Sequence, residues 1–529
     1  MKKTYRYKVN DKQIEREYNY IPVRYILAAL ITLIEIAAII GIVVALCYFV
    51  PYFYLAAFAT QVFCVVRIIA SDDNPDYKVP WLLFVMILPI AGFILYFLFY
   101  SRKLQKKFVK RLNELKNNAY QKEDEKLFVQ LKEENIVAYN QAKALCAVSE
   151  AHLFSDTKQT YFASGEEMFA SMLTDLRAAK KFIFMEYFII EEGKFWDSIL
   201  EILKEKAAAG LDVRVVYDDV GCMSTLPGDY DRQLRKFGID ATPFSRLKGQ
   251  ADGEFNNRSH RKITVIDGFI AYTGGVNIAD EYINHVVRFG HWKDVGLRLE
   301  GNAAWEMTKL FLIDYGLNSK PKKRKKKKTA QEESKTEYYP VCSTRATGYV
   351  IPFGDGPRPI YERRVSKIAI QNMLDQATRY VYMFTPYLIL DNETCGAIEG
   401  AALRGVDVRI VVPHIPDKKL VFGMTRSFYS RLMDAGVKIY EYTPGFIHAK
   451  VYLADDELAI VGTVNLDYRS LVHHFENGVW MYGCECIRDI KQDVQETLAK
   501  SELVEKKNLK ISMWQRMVRS VVKIFAPML

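Results

Sequence analysis

At 529 residues, with 50% apolar and 26% charged residues and a net charge of +10, the chain is too long for one ordinary core and is expected to form two or three folded units. The basic balance suits an anionic partner, lipid or nucleic acid. The eight cysteines include no CxxC pair and no repeated spacing, which argues against a disulfide framework or zinc site and fits a reducing compartment.

Basic residues crowd the start (Lys2, Lys3, Arg6, Lys8, Lys12, Arg16, Arg24), and residues 25–69 are then almost uninterruptedly apolar. That run exceeds one membrane span of roughly 20 residues, and Pro51 near its middle suits a turn. Spans are expected at about 25–47, 51–70 and 81–100, the last followed by Arg102, Lys103, Lys106, Lys107, Lys110 and Arg111. A cleaved signal peptide would be shorter and would not precede two further apolar runs. Residues 1–110 therefore read as a multi-pass cell-membrane anchor. Basic flanks favour the cytoplasmic side. Two such flanks demand an even number of spans, so either one of the three is re-entrant or one flank misleads. The second flank adjoins the rest of the chain, which is accordingly expected in the cytoplasm.

Beyond residue 145 the texture becomes α/β. Residues 182–190 (FIFMEYFII) predict a buried strand, 195–208 a helix stopped by Gly210, and 213–217 the next strand. The order then recurs: strand at 380–390, helix at 393–403, stop at Gly405, strand at 408–412. "AAAGLDVRVVYDD" and "AALRGVDVRIVVP" are the same unit. The expected fold is two similar α/β/α lobes, 145–318 and 341–505, packed about a pseudo-twofold axis with a site at their interface. Between them, 319–340 is a polybasic linker with eight basic residues in the nine of 320–328. It cannot form a core of its own; either it attracts anionic headgroups or it is a mere insertion. The ending, 506–529, predicts an amphipathic helix, set in the membrane interface or against the protein's own surface.

The chemistry-bearing pattern occurs once per lobe. "SHRKITVIDGFIAYTGGVN" supplies His260, Lys262, Asp267, Gly274 and Asn277; "IHAKVYLADDELAIVGTVN" supplies His448, Lys450, Asp455, Gly462 and Asn465, at identical spacings. On a strand, His-x-Lys points both polar side chains to one face. Facing lobes would gather two histidines, two lysines and two asparagines, the equipment for displacement at phosphorus. One imidazole attacks, the other shuttles the proton, and the ammonium and amide donors steady the phosphate oxygens. With side-chain cations in that role, neither metal nor cofactor is expected. Asp267 and Asp455, placed with the catalytic set, stand at strand-to-turn boundaries where a structural role is equally open.

These paired motifs resemble the phospholipase D superfamily, and the flanks widen the likeness. "NPDYKVPWLLFVMILPIAGFILYFLF" (74–99), "EYFII", "TPYLIL", "VNLDYRS" and the terminal "RSVVKIFAPML" are similar to bacterial cardiolipin synthases. The resemblance implies transfer of a phosphatidyl group between two phosphatidylglycerols, through a phosphohistidine, to give cardiolipin and glycerol. It implies His260 as nucleophile and His448 as acid/base, although the two motifs themselves are symmetric. It places Asp294 and Glu476 behind the histidines as orienting acids. Gly275 and Thr463 stand where the superfamily often has serine, small enough to admit phosphate. His473-His474 and Gly275 depart from the pattern. Phospholipase or phosphatidylserine synthase activity remains the alternative; a nuclease would suit the charge, but the apolar runs point the site at lipid rather than nucleic acid. Oligomeric state is not legible.

Overall fold

The computed structural model describes residues 2–9, 12–19, 23–49, 53–71, 75–99, 121–246, 257–319, 338, 344–358, 360–509 and 517. The basic run 320–328, the basic cluster 102–111 and nearly all of the expected C-terminal helix lie outside them. The chain forms two units, one of residues 1–104, 247–257 and 511–529, the other of 105–246 and 258–510.

In the first unit, β1 (Lys2–Val9) and β2 (Lys12–Asn19) pair as an antiparallel hairpin. Helices α1 (Val23–Phe49) and α2 (Phe53–Ala70) cover the first two apolar runs. The third run departs from expectation: it is not one helix over 81–100 but two, α3 (Pro75–Ile87) and α4 (Pro89–Phe99). The rings of Trp81 and Tyr96 lie 5.6 Å apart, whereas a straight helix would separate them by roughly 22 Å. α3 and α4 therefore fold back on each other.

The break follows from Pro89, which has no N–H to give the Val85 carbonyl and disfavours helix at Leu88. Gln61 on α2 meets that loss: its Nε2 donates to Val85 O at 3.3 Å and Met86 O at 3.0 Å. An orphaned carbonyl in apolar surroundings is costly, which explains a polar residue in the middle of α2. Among the described residues no helix is long and apolar enough to cross a membrane.

The second unit contains two α/β lobes with mixed sheets. The first sheet has the strand order β3-β10-β8-β7-β4-β5-β6, where β3 is Thr157–Phe162, β4 Phe182–Tyr187, β5 Asp212–Asp218, β6 Asp240–Phe244, β7 Lys262–Ile266, β8 Ile270–Gly274 and β10 Gly296–Gly301. The second runs β11-β20-β18-β17-β12-β14-β15-β21, with β11 Tyr349–Asp355, β12 Tyr380–Phe384, β14 Asp407–Pro413, β15 Lys438–Tyr442, β17 Val451–Ala454, β18 Leu458–Gly462, β20 Glu476–Tyr482 and β21 Ser501–Leu503. Seven strands match in order and direction, and β21 extends the second sheet alone. The repeat read in sequence is thus a repeat of fold.

The lobes share their apolar interior. Phe446 of the second lobe belongs to the first lobe's cluster of Met168, Trp196, Ile199 and Trp292. Lys293 forms a buried ion pair with Asp493 at 2.5 Å, and Asp493 also accepts from Tyr161 at 2.6 Å. The helix Ile136–Ser149, which precedes the first lobe in the chain, packs on the second: Gln141 bonds Gln376 and Trp480.

Candidate active site

His260 stands two residues before β7 and His448 three before β17. In both motifs alternation sends the lysine to the side shared with the histidine and the aliphatic residues Ile263, Val265, Val451 and Leu453 into the core. The main chain of each motif is fastened to the opposite lobe. His260 N donates to Phe475 O at 2.8 Å, and His448 N donates to Lys293 O at 2.7 Å. Beside them β16 (Gly445–Ile447) pairs with β9 (His291–Lys293), and Ser259 bridges Phe475. These reciprocal contacts are what a pseudo-twofold between the lobes requires.

The acidic partners are exchanged across the interface. His260 Nδ1 lies 2.9 Å from Glu476 Oε2, a residue of the second lobe; His448 Nδ1 lies 2.7 Å from Asp294 Oδ2, a residue of the first. Nδ1–H donation to the carboxylate fixes the tautomer and leaves Nε2 of each ring for chemistry. Lys262 Nζ donates to His260 O at 2.7 Å, and Lys450 Nζ donates to His448 O. All six groups are buried.

Burial dominates the protonation states. It pushes His260 down to about 3, against the pull of Glu476, and His448 down to about 4, helped by Lys450. Both imidazoles are neutral at rest. Burial also lowers Lys262 well below its ordinary range and Lys450 to about 8. Burial alone would raise Glu476 and Asp294, but the facing His260 and His448 outweigh it and hold both carboxyls ionised. The set is two carboxylates, two buried lysine amines and two neutral imidazoles, ready for an anionic phosphodiester.

Asp267 and Asp455, expected in the catalytic set, are elsewhere. Asp267 follows the far end of β7, roughly 17 Å of strand from Lys262. Its carboxylate accepts from Lys180 N, Lys181 N and Phe182 N at 2.7–3.0 Å. Asp455 does the same for Thr378 N, Arg379 N and Tyr380 N. Both have positive φ, 55° and 53°, which aspartate tolerates better than most residues. The invariance of spacing at this position reflects a turn whose side chain caps the start of the neighbouring strand.

The four residues expected to hold phosphate also acquire partners. Asn277 Oδ1 accepts from Ile189 N at 3.1 Å and its Nδ2 donates to Tyr282 Oη at 2.8 Å. Asn465 Nδ2 donates to Asp467 at 2.9 Å, while its Oδ1 is buried without a partner. Gly275 makes room for Asp294, since a Cβ there would sit 1.9 Å from Asp294 Oδ1. Thr463 Oγ1 donates to Glu476 and accepts from Asn477 N at 3.0 Å. Gly275 and Thr463 thus serve the orienting acids.

Sequence reasoning missed three supports. Arg261, between the motif's His and Lys, is fully buried on the opposite side of the strand and donates to Asp314 at 2.5 Å and to the Glu476 carbonyl at 3.1 Å, bracing one lobe on the other. Ser470 Oγ donates to Glu476 Oε1 at 2.6 Å, and Asn477 Nδ2 donates to Thr273 Oγ1 across the interface at 2.7 Å. The one legible signal was a charged residue at an inward-facing position. Among the described residues, His260, His474 and Glu476 form one cluster with metal-ligand atoms. Two of its members, His260 and Glu476, already share a hydrogen bond beside Lys262, a poor setting for a cation.

Comparison with known proteins agrees with this geometry. Residues 172–287 and 370–498 match the family described as "Cardiolipin synthase, PLD-like domain", and 60–99 match "Phospholipase_D-nuclease N-terminal". A protein named cardiolipin synthase from Staphylococcus aureus is 32% identical over 90% of this chain and 96% of its own length. One from Halalkalibacterium halodurans is 31% identical over 89% and 92%. An uncharacterized Streptococcus mutans protein is 42% identical over 88% and 99%. The phosphatidylserine synthase structure from Haemophilus influenzae superposes with a TM-score of 0.54 at 15% identity, covering 74% of this chain and 98% of that one, a likeness of fold.

Proposed function

The chain belongs to the cardiolipin synthase family of phospholipase D-like proteins, and on that premise we propose how it works: His260 and His448 divide one phosphatidyl transfer between them. The protein is a phosphatidyltransferase that makes cardiolipin and glycerol from two phosphatidylglycerols. In this reading His448 takes up a proton from solvent as the phosphodiester anion enters beside it; His260 Nε2 then attacks phosphorus, and His448 gives that proton to the departing glycerol oxygen. The phosphatidyl group is then held on His260 as a phosphohistidine. The glycerol hydroxyl of a second phosphatidylglycerol gives its proton to His448 and attacks phosphorus, which frees His260. Lys262 and Lys450 balance the phosphoryl oxygens' charge as it redistributes. The crossed His–carboxylate pairs carry this reading, because either lobe alone would leave one imidazole without its acid.

The test is the purified full chain in micelles with phosphatidylglycerol as sole lipid. Cardiolipin and glycerol should appear in equal amounts. Phosphatidic acid as the main product would favour a hydrolase instead.

The site acts on membrane lipid, and we place it on the cytoplasmic face of the cell membrane. The apolar run of residues 25–70 is proposed, on its sequence, to cross the bilayer twice with a turn near Pro51, and the α3–α4 hairpin to be re-entrant. Large apolar side chains stand exposed along both long helices, among them Leu33, Ile34, Val44, Leu55 and Phe58, a surface suited to lipid. Two crossings bring both basic flanks to one side, which removes the parity conflict of three. In a cysteine-free background, Tyr52→Cys should react with an impermeant thiol reagent applied outside the cell, and Ser101→Cys should not. Labelling of Ser101→Cys from outside would restore the third crossing.

A further inference from the structure

Besides their different acids, the two half-sites differ in one ring beside each catalytic histidine. Two residues before Asp294 stands Trp292, whose ring lies 5.6 Å from that of His448; two residues before Glu476 stands His474, whose ring lies 5.6 Å from that of His260. Where one catalytic histidine has an indole, the other has an imidazole at the same separation. His474 is held in place: its N–H donates to Arg469 O at 2.8 Å across the turn Arg469–His473. That same turn supplies Ser470 to Glu476. The Nδ1 atom of His474 is buried without a hydrogen-bond partner and lies 3.8 Å from Glu476 Oε1, just beyond bonding distance.

We infer that His474 is a positioning residue that breaks the symmetry of the site, assigning attack on phosphorus to His260 and the proton shuttle to His448. The inference rests on the phosphatidyl-transfer reading above. Glu476 already accepts from His260, Ser470 and Thr463, and His474 stands next to it. A carboxylate shared among so many donors supports a positive charge on any one of them less well. Asp294 serves His448 and the N–H of Val295 alone among the described partners. The charged and titratable groups facing His260 are Glu476, Lys262 and His474. Lys450, Asp294 and Asp218 act electrostatically on Lys262 in turn. A proton on His474 would repel one on His260, as Lys262 does, whereas Trp292 exerts no such effect on His448. His260 accordingly stays the freer base for bonding to phosphorus.

The experiment measures glycerol release from phosphatidylglycerol micelles by the full-length enzyme against pH, for wild type, His474→Trp and His474→Gln. Trp repeats the other half-site; Gln keeps polarity but cannot take a proton. Both variants should move the acid limb of kcat/KM upward by about one pH unit and leave the alkaline limb in place. An acid limb that stays put in both, with a rate lowered by one factor at every pH, would overturn the inference and leave His474 a packing residue. If only the Trp variant loses activity, the Gln profile decides. Wild type that makes no cardiolipin would instead defeat the transfer reading, so the two failures are distinguishable.

Discussion

The lobe that donates His260 and the lobe that donates His448 share strand order, motif spacing and crossed acid, yet support their imidazoles differently. Asp294 is a short carboxylate admitted because Gly275 has no side chain. Glu476 is longer and is held by the hydroxyls of Thr463 and Ser470. A duplicated scaffold has therefore kept the reacting groups alike while their supports diverged. Two equal histidines would compete for one phosphorus; unequal support lets one attack while the other carries the proton.

The most severe break in the comparison is removal of either ring. His260→Ala and His448→Ala should each lower cardiolipin formation by about 10⁴-fold or more. They should differ in what accumulates: labelled phosphatidylglycerol leaves a covalent phosphatidyl-enzyme in the His448 variant and none in the His260 variant, read by gel filtration after quenching in alkaline denaturant, which preserves the acid-labile P–N bond. Label on His448 in the His260 variant would reverse the roles. Next comes an exchange of supports. Gly275→Ala should displace Asp294 and cost about 10²-fold in kcat, because no rotamer relieves a 1.9 Å approach at Cβ. Thr463→Val removes one of several donors to Glu476 and should cost about tenfold. Equal losses would mean that the two acids are held alike.

A smaller effect separates the lysines. Lys450, pushed down to about 8 by burial, is protonated below that pH and loses its charge above it. The alkaline limb of kcat/KM, which reports the free enzyme, should fall near pH 8. In kcat the limb should lie higher, since a bound phosphodiester anion favours the ammonium. Lys450→Arg, charged at all these pH values, should lose the limb even if its rate is low; a limb that survives would assign it to another group.

Much of this was legible in sequence because it rests on repetition. Gly210 and Gly405 end matching helices, and "DVRVVYD" and "DVRIVVP" occupy matching strands, β5 and β14. Spacing could gather His260, Lys262, His448 and Lys450 because alternation along a strand is a local rule. It could not reveal that Asp294 serves His448 and Glu476 serves His260, since that exchange is a long-range property of the packed lobes. The role of Gly275 was misread for the same reason: smallness showed, but not what fills the space. The helix expected over 81–100 failed for a nearer cause. Apolar composition runs straight through Pro89, and only the lost N–H and the partner Gln61 make the fold-back stable.

The motif's aspartates supply the comparison in which the lobes should not differ. Asp267 and Asp455 each receive three main-chain N–H groups at the start of a neighbouring strand, far from the imidazoles. Replacement by Asn keeps the shape but weakens charge-assisted bonds, so each variant should lose about 1–3 kcal/mol of stability. Activity per folded molecule and the pH profile should stay within about twofold of wild type. The carboxyl of Asp455 is held below its ordinary value, burial being outweighed by the bonds from Thr378, Tyr380 and Arg379. Its stabilisation is therefore present above the unfolded value near 4 and lost as pH falls through the lower folded value. Thermal unfolding at pH 7 and pH 3 should show Asp455→Asn well below wild type at the first and nearer to it at the second. A fall in kcat at unchanged melting temperature would return the aspartates to the catalytic set.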